Sequence, residues 1–216
     1  MQKQPSRRLF IGGIIVPVLL IIGCTAFQVG SDIQKGRTAL LTGEPKVALA
    51  HFQRAAELNP DYVLDFSYLP QGVWTYVGRA YYAQGQFSQA RNAFEKARSR
   101  HPDDNLAKLY LGLVLARDGS QQQGLQEIQA GLTGLNDWLN HIDQYSPDSA
   151  FWDPGSDLRS EIQKNLTMIS GKDISWPQLI GSGERLGKKF EEEIDLARRD
   201  KVEDLYKRDG DGSSGH

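Results

Sequence analysis

Six residues recur at fixed spacing in successive segments of this chain, and they constrain its fold more than any other feature. Starting from Gly36, a glycine, an alanine, a phenylalanine, an alanine and a proline follow at offsets of 7, 12, 16, 19 and 24 residues. The same residue types follow Gly78 at the same offsets. The two sets are Gly43, Ala48, Phe52, Ala55 and Pro60, and Gly85, Ala90, Phe94, Ala97 and Pro102. A third copy begins at Gly112, 34 residues after Gly78. Such a period is typical of stacked units, none of which buries its apolar face alone.

The offsets predict two helices in each unit. The alanine, phenylalanine and alanine are spaced by four and three residues, so they share one helical face and form a buried stripe. Gly43, Gly85 and Gly119 each lie between two apolar helical runs, where glycine ends a helix in a left-handed conformation without a Cβ clash. Gly36 and Gly78 lie inside the first helices, and we expect close approach of the second helix to require glycine there.

The middle unit follows the pattern of a known repeat family. The residues that carry the pattern are Trp74, Gly78, Tyr81, Ala90, Phe94, Ala97 and Pro102. In this order and spacing the unit resembles a tetratricopeptide repeat (TPR). The unit before it has Ala39 where an aromatic residue is usual, and the third unit fits only in its first half and turn. The resemblance implies an all-α fold, a short α-solenoid of about three helix pairs, which we expect to be followed by C-terminal capping helices and preceded by one transmembrane helix.

These patterns divide the chain into consecutive segments. We predict a basic cytoplasmic N-terminus, a transmembrane helix or signal or lipoprotein segment, TPR-like repeats, a C-terminal helical extension and cap, and a disordered tail. Their bounds are 1–8, 9–29, 30–143, 144–207 and 208–216, with repeat units at about 30–62, 71–104 and 105–143. From Pro177 to Tyr206 an apolar stripe runs through charged sequence, and we expect this helix to shield the last repeat. The polar side of that helix, including Glu191–Glu193, is interpreted as solvated surface.

The N-terminal segment is apolar enough to enter a bilayer. No charge occurs from Leu9 to Ser31, and a helix of this length reaches roughly 34 Å, more than a hydrocarbon core of about 30 Å. The basic residues before it, Lys3, Arg7 and Arg8, are expected to stay cytoplasmic, which places the repeats in the periplasm of a bacterium. We therefore expect a single-pass membrane protein with a periplasmic domain.

Two other interpretations of this segment stay open. The sequence that ends at Cys24 resembles a lipoprotein processing site, which would make Cys24 the lipid-bearing residue of a lipid-anchored protein. Residues 6–11 resemble a twin-arginine export signal. Cys24 is the only cysteine, so no intramolecular disulfide forms and stability must come from packing.

Eight residues, 63–70, are inserted between the first and second units. The large apolar residues among them include Phe66, Tyr68 and Leu69, so the insertion is not expected to extend into water. They either extend a helix or pack over the edge of the repeats, or they form a loop that contacts a partner.

The family resemblance implies where a partner binds. In TPR proteins the first helices of successive units line a concave groove that holds an extended peptide or a partner helix. The residues on that face are Arg37, Leu41, Thr75, Arg79, Tyr82, Leu109, Leu113 and Arg117. Arg37 and Arg79 occupy equivalent positions, and a basic groove with apolar neighbours suits a peptide that carries a carboxylate. The alternative is that these arginines are merely solvated.

Features of a catalytic or nucleic-acid-binding protein do not stand out. The four histidines are scattered, and the chain has neither a glycine-rich phosphate loop nor a nucleophile elbow. The formal net charge of −2 gives no basic footprint for nucleic acid. We expect no enzyme activity, cofactor, metal or small-molecule substrate. The expected function is a membrane-anchored scaffold or adaptor for other proteins, or alternatively a permanent accessory subunit of a membrane complex.

Overall fold

The computed structural model describes residues 15–66, 69–147, 149–171 and 173–212, without the side chains of 15–24, 65–66 and 208–212. These ranges contain eight α-helices, one short antiparallel hairpin and a single turn of 3-10 helix at Ser149–Phe151. The helices are α1 Ile15–Leu41, α2 Pro45–Leu58, α3 Val73–Ala83, α4 Phe87–Arg100, α5 Asn105–Arg117, α6 Gln121–Tyr145, α7 Asp157–Ser170 and α8 Trp176–Gly212. The hairpin strands are β1 Val63–Phe66 and β2 Leu69–Gly72.

Three helix pairs stack in chain order, as the repeat spacing predicts. The pairs are α1 with α2, α3 with α4, and α5 with α6, and each second helix also packs against the first helix of the next pair. The turn glycines Gly43, Gly85 and Gly119 have φ of +81°, +73° and +84°, the left-handed region that favours glycine. The first helices contact one another along one side of the stack, which makes that side the inner, concave face.

The predicted stripes form the core of the first two pairs. The alanines and phenylalanines of both sets, Ala48, Phe52, Ala55, Ala90, Phe94 and Ala97, have no exposed surface. A Cβ atom at Gly78 would lie 2.5 Å from Cε1 of Phe94, and one at Gly36 would overlap the ring of Phe52. The phenylalanine of the second helix therefore packs directly on the glycine of the first, which confirms the expected close approach.

The inserted segment folds as a hairpin, so it does not extend a helix, and of the alternatives left open by the sequence its buried Leu69 agrees with packing over the repeats. Val63 pairs with Gly72 and Phe66 with Leu69, so the backbone groups of the insertion bond to each other. Leu69 is buried in the core, whereas Tyr68 lies outside the described residues. The buried carboxylate of Asp104 accepts hydrogen bonds from Gly72 N (2.8 Å) and Thr75 Oγ1 (2.5 Å), and so joins the hairpin to α3 and α5.

The first repeat helix is continuous with the N-terminal apolar segment. Helix α1 runs without a break from Ile15 to Leu41, and Val29 and Ile33 are buried against the first pair. The predicted segment 1–8 and the start of 9–29 lie outside the described residues. Within the part of the chain that is described, no helix has the length and apolarity needed to cross a bilayer.

The position of α8 differs from the predicted terminal cap. Instead of covering only the last repeat, α8 runs back along the concave face, where it packs on α5, reaches α3 and α1, and is covered by α7. Its apolar stripe is buried at Leu186, Phe190, Ile194 and Ala197. The helix continues to Gly212, into the segment 208–216 that is predicted to be disordered, and residues 213–216 lie outside the described part.

Candidate functional site

The eight residues predicted to line the groove fall into four groups in the structure. Four of them, Arg37, Arg79, Tyr82 and Arg117, bond to side chains of α8. Leu109 and Leu113 are fully buried beneath it, while Leu41 borders a cleft of about 450 Å³ beside α8. Thr75 does not belong to the groove surface, because its hydroxyl is buried and bonds to Asp104. The predicted groove is present, but the protein's own helix occupies it.

A buried ion cluster centred on Glu191 joins α8 to the first two repeats. Arg37 Nε donates to Glu191 Oε2 at 2.7 Å, and Arg37 Nη2 lies 2.9 Å from Asp195 Oδ1. Arg79 Nη1 donates to the other carboxylate oxygen of Glu191, and its Nη2 donates to the carbonyl of Gly187 at 3.3 Å. Arg37 and Glu191 are each 1% exposed. The arginines at equivalent positions of two repeats therefore hold one carboxylate between them, so they are not solvated side chains.

The charges of this cluster depend on one another. Burial by itself would raise the pKa of Glu191, but the guanidinium groups of Arg79 and Arg37 outweigh it and hold that pKa below its usual value. Burial likewise opposes the charge on Arg79, and Glu191 more than compensates, so the pKa of Arg79 is raised. Glu191 is thus a carboxylate at neutral pH, and its removal would leave two buried guanidinium groups, of which only Arg37 keeps a carboxylate partner, Asp195.

The carboxylate triplet 191–193 corrects the interpretation of this stretch as solvated surface. Only Glu192 matches it, with a half-exposed carboxylate 3.5 Å from Lys188 Nζ. Glu193 accepts a hydrogen bond from Asp153 N at 2.6 Å, and Glu191 points into the core. Neighbouring helical residues point in different directions, and Glu191 shares the buried side because it follows Gly187 by four residues and precedes Ile194 by three.

A second, more exposed cluster joins α8 to the second and third repeats. Tyr82 Oη donates to Glu184 Oε1 at 2.6 Å, and Arg117 Nη2 donates to the same oxygen at 2.6 Å. Arg117 Nε also donates to Tyr82 Oη at 2.8 Å. Burial and the bond to Glu184 raise the pKa of Tyr82, so its hydroxyl keeps the proton that it donates. This cluster repeats the carboxylate recognition of the Glu191 site about two turns earlier in α8.

Two glycines of α8 allow it to approach the groove closely. A Cβ atom at Gly183 would lie 2.8 Å from Cδ2 of Leu113, and one at Gly187 would overlap the ring of Tyr110. Neither Glu184 nor Glu191 was predicted from the sequence to bind the groove. The signal that could have identified them is this glycine pair, one turn apart on the apolar side of an otherwise charged helix.

The outer face of the stack carries a second groove, which sequence analysis did not assign. It lies between α2 and α4 over α3, with a volume of about 520 Å³, and its floor includes Trp74, Val77 and Tyr81. Its rim is polar and exposed: Gln53, Glu57, Gln89, Asn92 and Lys96. Lys96 Nζ lies 3.3 Å from the ring centroid of Trp74, a cation–π contact that partly covers the aromatic floor. Unlike the concave groove, this one contains no other part of the described chain.

Part of the helical stack matches a known family of proteins. Residues 78–135 match the family model described as tetratricopeptide repeat, a range from the middle of α3 into α6. No curated protein and no solved structure matches the chain significantly. In the described part of the chain, no group of three or more His, Cys, Asp or Glu side chains is arranged to hold a metal ion. The match supports the resemblance of the second and third helix pairs to tetratricopeptide repeats, which are typically non-catalytic modules that bind other proteins.

Proposed function

We propose that this chain is a membrane-anchored TPR scaffold that helps assemble or organise a membrane or envelope complex on the periplasmic side. The observation that supports it best is the continuity of α1. The uncharged run from Leu9 to Ser31 leads into the first repeat helix, so no flexible linker separates the apolar segment from the stack. An anchor of this kind would hold the repeats at the bilayer and raise their effective concentration for membrane partners.

The chemistry of the anchor is a separate part of the proposal. A single-pass helix over 9–29 and a lipid on Cys24 both hold the repeats at a membrane, but they leave chains of different mass. The intact mass of the membrane-extracted protein distinguishes them: a single-pass helix predicts the unmodified chain, whereas lipidation predicts cleavage before Cys24 and added acyl groups.

Partner docking belongs on the outer groove, because the concave groove is already filled. Three side chains of α8, Leu186, Phe190 and Ile194, are completely buried there, and burial of such side chains stabilises by about 1.5–3 kcal/mol each. A partner in the concave groove would have to compensate for this loss and also for the two broken carboxylate clusters. We therefore replace the predicted concave docking site with the groove between α2 and α4.

The outer groove suits an extended peptide with an apolar side chain. Trp74 and Tyr81 offer aromatic surface at its floor, where such a side chain would be removed from water. The amides of Gln89 and Asn92 at the rim present both donors and acceptors, which match the backbone groups of an extended chain. The amide of Gln53 already donates to Tyr81 Oη at 2.9 Å and holds that side chain in the floor.

The experiment is crosslinking of the full-length protein in its native membrane, followed by identification of the attached proteins. The double variant Gln89→Arg, Asn92→Arg would place long charged side chains over the groove without touching the core. The matched control is Gln122→Arg, Gln129→Arg on α6, where both residues are exposed. We expect the first variant to lose the crosslinked partner and the control to keep it. Equal capture by both variants would contradict docking at this groove.

The closed concave groove also favours a second candidate, a permanent accessory subunit of a membrane complex. A subunit that does not exchange partners needs no open peptide groove. Purification in mild detergent distinguishes the two: fixed stoichiometry that persists at high salt supports the subunit, and salt-sensitive, substoichiometric capture supports the adaptor.

A further inference from the structure

The C-terminal part of α8 extends beyond the ion clusters and exposes large apolar side chains. Val202 is 50% exposed, Leu205 52% and Tyr206 75%. On α1, Phe27 is 79% exposed. Apolar residues scattered singly over a surface need no explanation. These four residues therefore indicate a binding surface only if they lie close together.

The contacts between α1 and α8 bring the four residues to one end of the molecule. Arg37 opposes Asp195 at 2.9 Å, and Gln34 opposes Arg198, with Arg198 Nη1 donating to Gln34 Oε1 at 3.1 Å. Three residues toward the N-terminus of α1 thus correspond to three residues toward the C-terminus of α8, so the two helices are antiparallel. If the same register continues for seven more residues, Phe27 of α1 lies opposite Leu205 of α8, roughly 10 Å further along both helix axes. Phe27 and Arg198 also line one cleft with residues of α1 and the hairpin.

We propose that this end of the molecule, consisting of Phe27, Val202, Leu205 and Tyr206, lies in the headgroup region of the bilayer. The inference rests on the proposed membrane anchor, because Phe27 belongs to the uncharged run 9–31. A helix that leaves the lipid at this point brings Leu205 and Tyr206 to the level of the interface. Tyrosine is favoured there because its ring is apolar while its hydroxyl can reach water.

The charge pattern around the four residues favours a lipid surface over a charged partner. From Arg198 to Lys207 there are four basic and three acidic residues, so neither sign dominates. Arg199 is itself within ion-pair distance of Asp200 and Glu203. Apolar burial would therefore carry the contact, and it should persist in neutral lipid and at high salt, unlike a basic patch on anionic lipid.

The test uses the full chain with an environment-sensitive fluorescent amino acid in place of Tyr206, which leaves Cys24 unchanged. The protein is reconstituted into neutral phosphatidylcholine vesicles that contain a lipid-bound quencher. The matched control carries the same fluorophore at Val47, which is 46% exposed in the first turn of α2, beyond the far end of α1. We expect quenching at position 206 to exceed quenching at position 47 several-fold, with a blue-shifted emission that high salt does not change.

Other results separate this inference from the proposed anchor. Vesicle flotation with equal, weak quenching at both positions would keep the anchor and overturn the interfacial contact. Failure of the reconstituted protein to float with vesicles would overturn the anchor and this inference together. Shielding of position 206 in native membranes but not in pure lipid vesicles would mean that a protein covers this end, and would overturn the lipid assignment.

Discussion

The two halves of α8 carry similar residues and have different surroundings. Between Gly183 and Ala197 its apolar stripe, Leu186, Phe190, Ile194 and Ala197, is buried against the repeats, while Leu196 lies on the exposed side. Glu191 in this stretch is enclosed by two arginines. From Val202 to Tyr206 the apolar side chains are exposed. The first half completes the core of the stack, whereas the exposed apolar side chains of the second half are available for contact with another molecule or with lipid. An apolar stripe thus indicates that a helix packs against another surface. Which surface each turn of the helix contacts depends on the tertiary structure around that turn.

The largest expected effect comes from the centre of the first half. Phe190→Ala removes a fully buried ring that lies beside Trp138, and such truncations cost about 3–5 kcal/mol of unfolding free energy. Chemical denaturation of the full chain measures it, with Val202→Ala in the second half as the matched control. A loss of less than about 1 kcal/mol for Phe190→Ala would show that α8 is not part of the core.

Loss of the central charge should be nearly as severe. Glu191→Gln keeps the shape of the side chain but leaves Arg37 and Arg79 buried without a carboxylate between them, which we expect to lower the unfolding free energy by about 3 kcal/mol. Glu192→Gln is the control, because its carboxylate is half exposed and surface ion pairs contribute about 0–1 kcal/mol. Equal stability of the two variants would contradict a buried Glu191.

Acidification should lower the contribution of the Glu191 cluster to the unfolding free energy. The folded-state pKa of Glu191 is below its unfolded value, so its stabilisation is complete above the unfolded pKa, about 4.3. It is lost as the pH falls from there through the folded-state pKa. Asp104, whose pKa is raised by burial, acts in the opposite direction but is present in all variants. Unfolding free energy measured between about pH 6 and pH 3 should therefore fall more steeply in the wild type than in Glu191→Gln. Parallel curves would remove Glu191 from the acid response.

The smallest expected effect belongs to the second half. Leu205→Ser changes a half-exposed residue, so in detergent the unfolding free energy should change by less than about 0.5 kcal/mol. A thermal or chemical melt checks this against Leu186→Ser, which places a hydroxyl in the core and should be strongly destabilising. A large loss for Leu205→Ser would mean that the second half also packs against the protein.

The repeat units were predictable from sequence because their signals are local. A glycine with positive φ at a turn and an alanine–phenylalanine–alanine stripe each report on a contact within one helix pair, and both were confirmed at Gly85 and Phe94. The sequence also placed Arg37 and Arg79 at equivalent positions suited to a carboxylate, but the carboxylate was assigned to a partner peptide, and partner binding at these residues stays a prediction.

The source of that carboxylate could not be read from the sequence. Arg37 and Glu191 are 154 positions apart, and no local pattern links them. Glu191 stands in a run of three acidic residues that is typical of solvent-exposed helices, and only the path of α8 distinguishes it from Glu192. The hairpin was missed for a related reason, since two four-residue strands leave too short a pattern to separate from a helical turn.

The central claim is that α8 is a permanent part of the concave face. Native-state hydrogen exchange of the full-length protein tests it most directly, because it measures the opening free energy of each helix. We predict that amides from Gly183 to Ala197 exchange only with the same opening free energy as those of α5 from Leu109 to Val114. Exchange of the α8 segment at a clearly lower free energy, while α5 stays protected, would mean that the helix detaches and leaves the groove open, and would contradict the account.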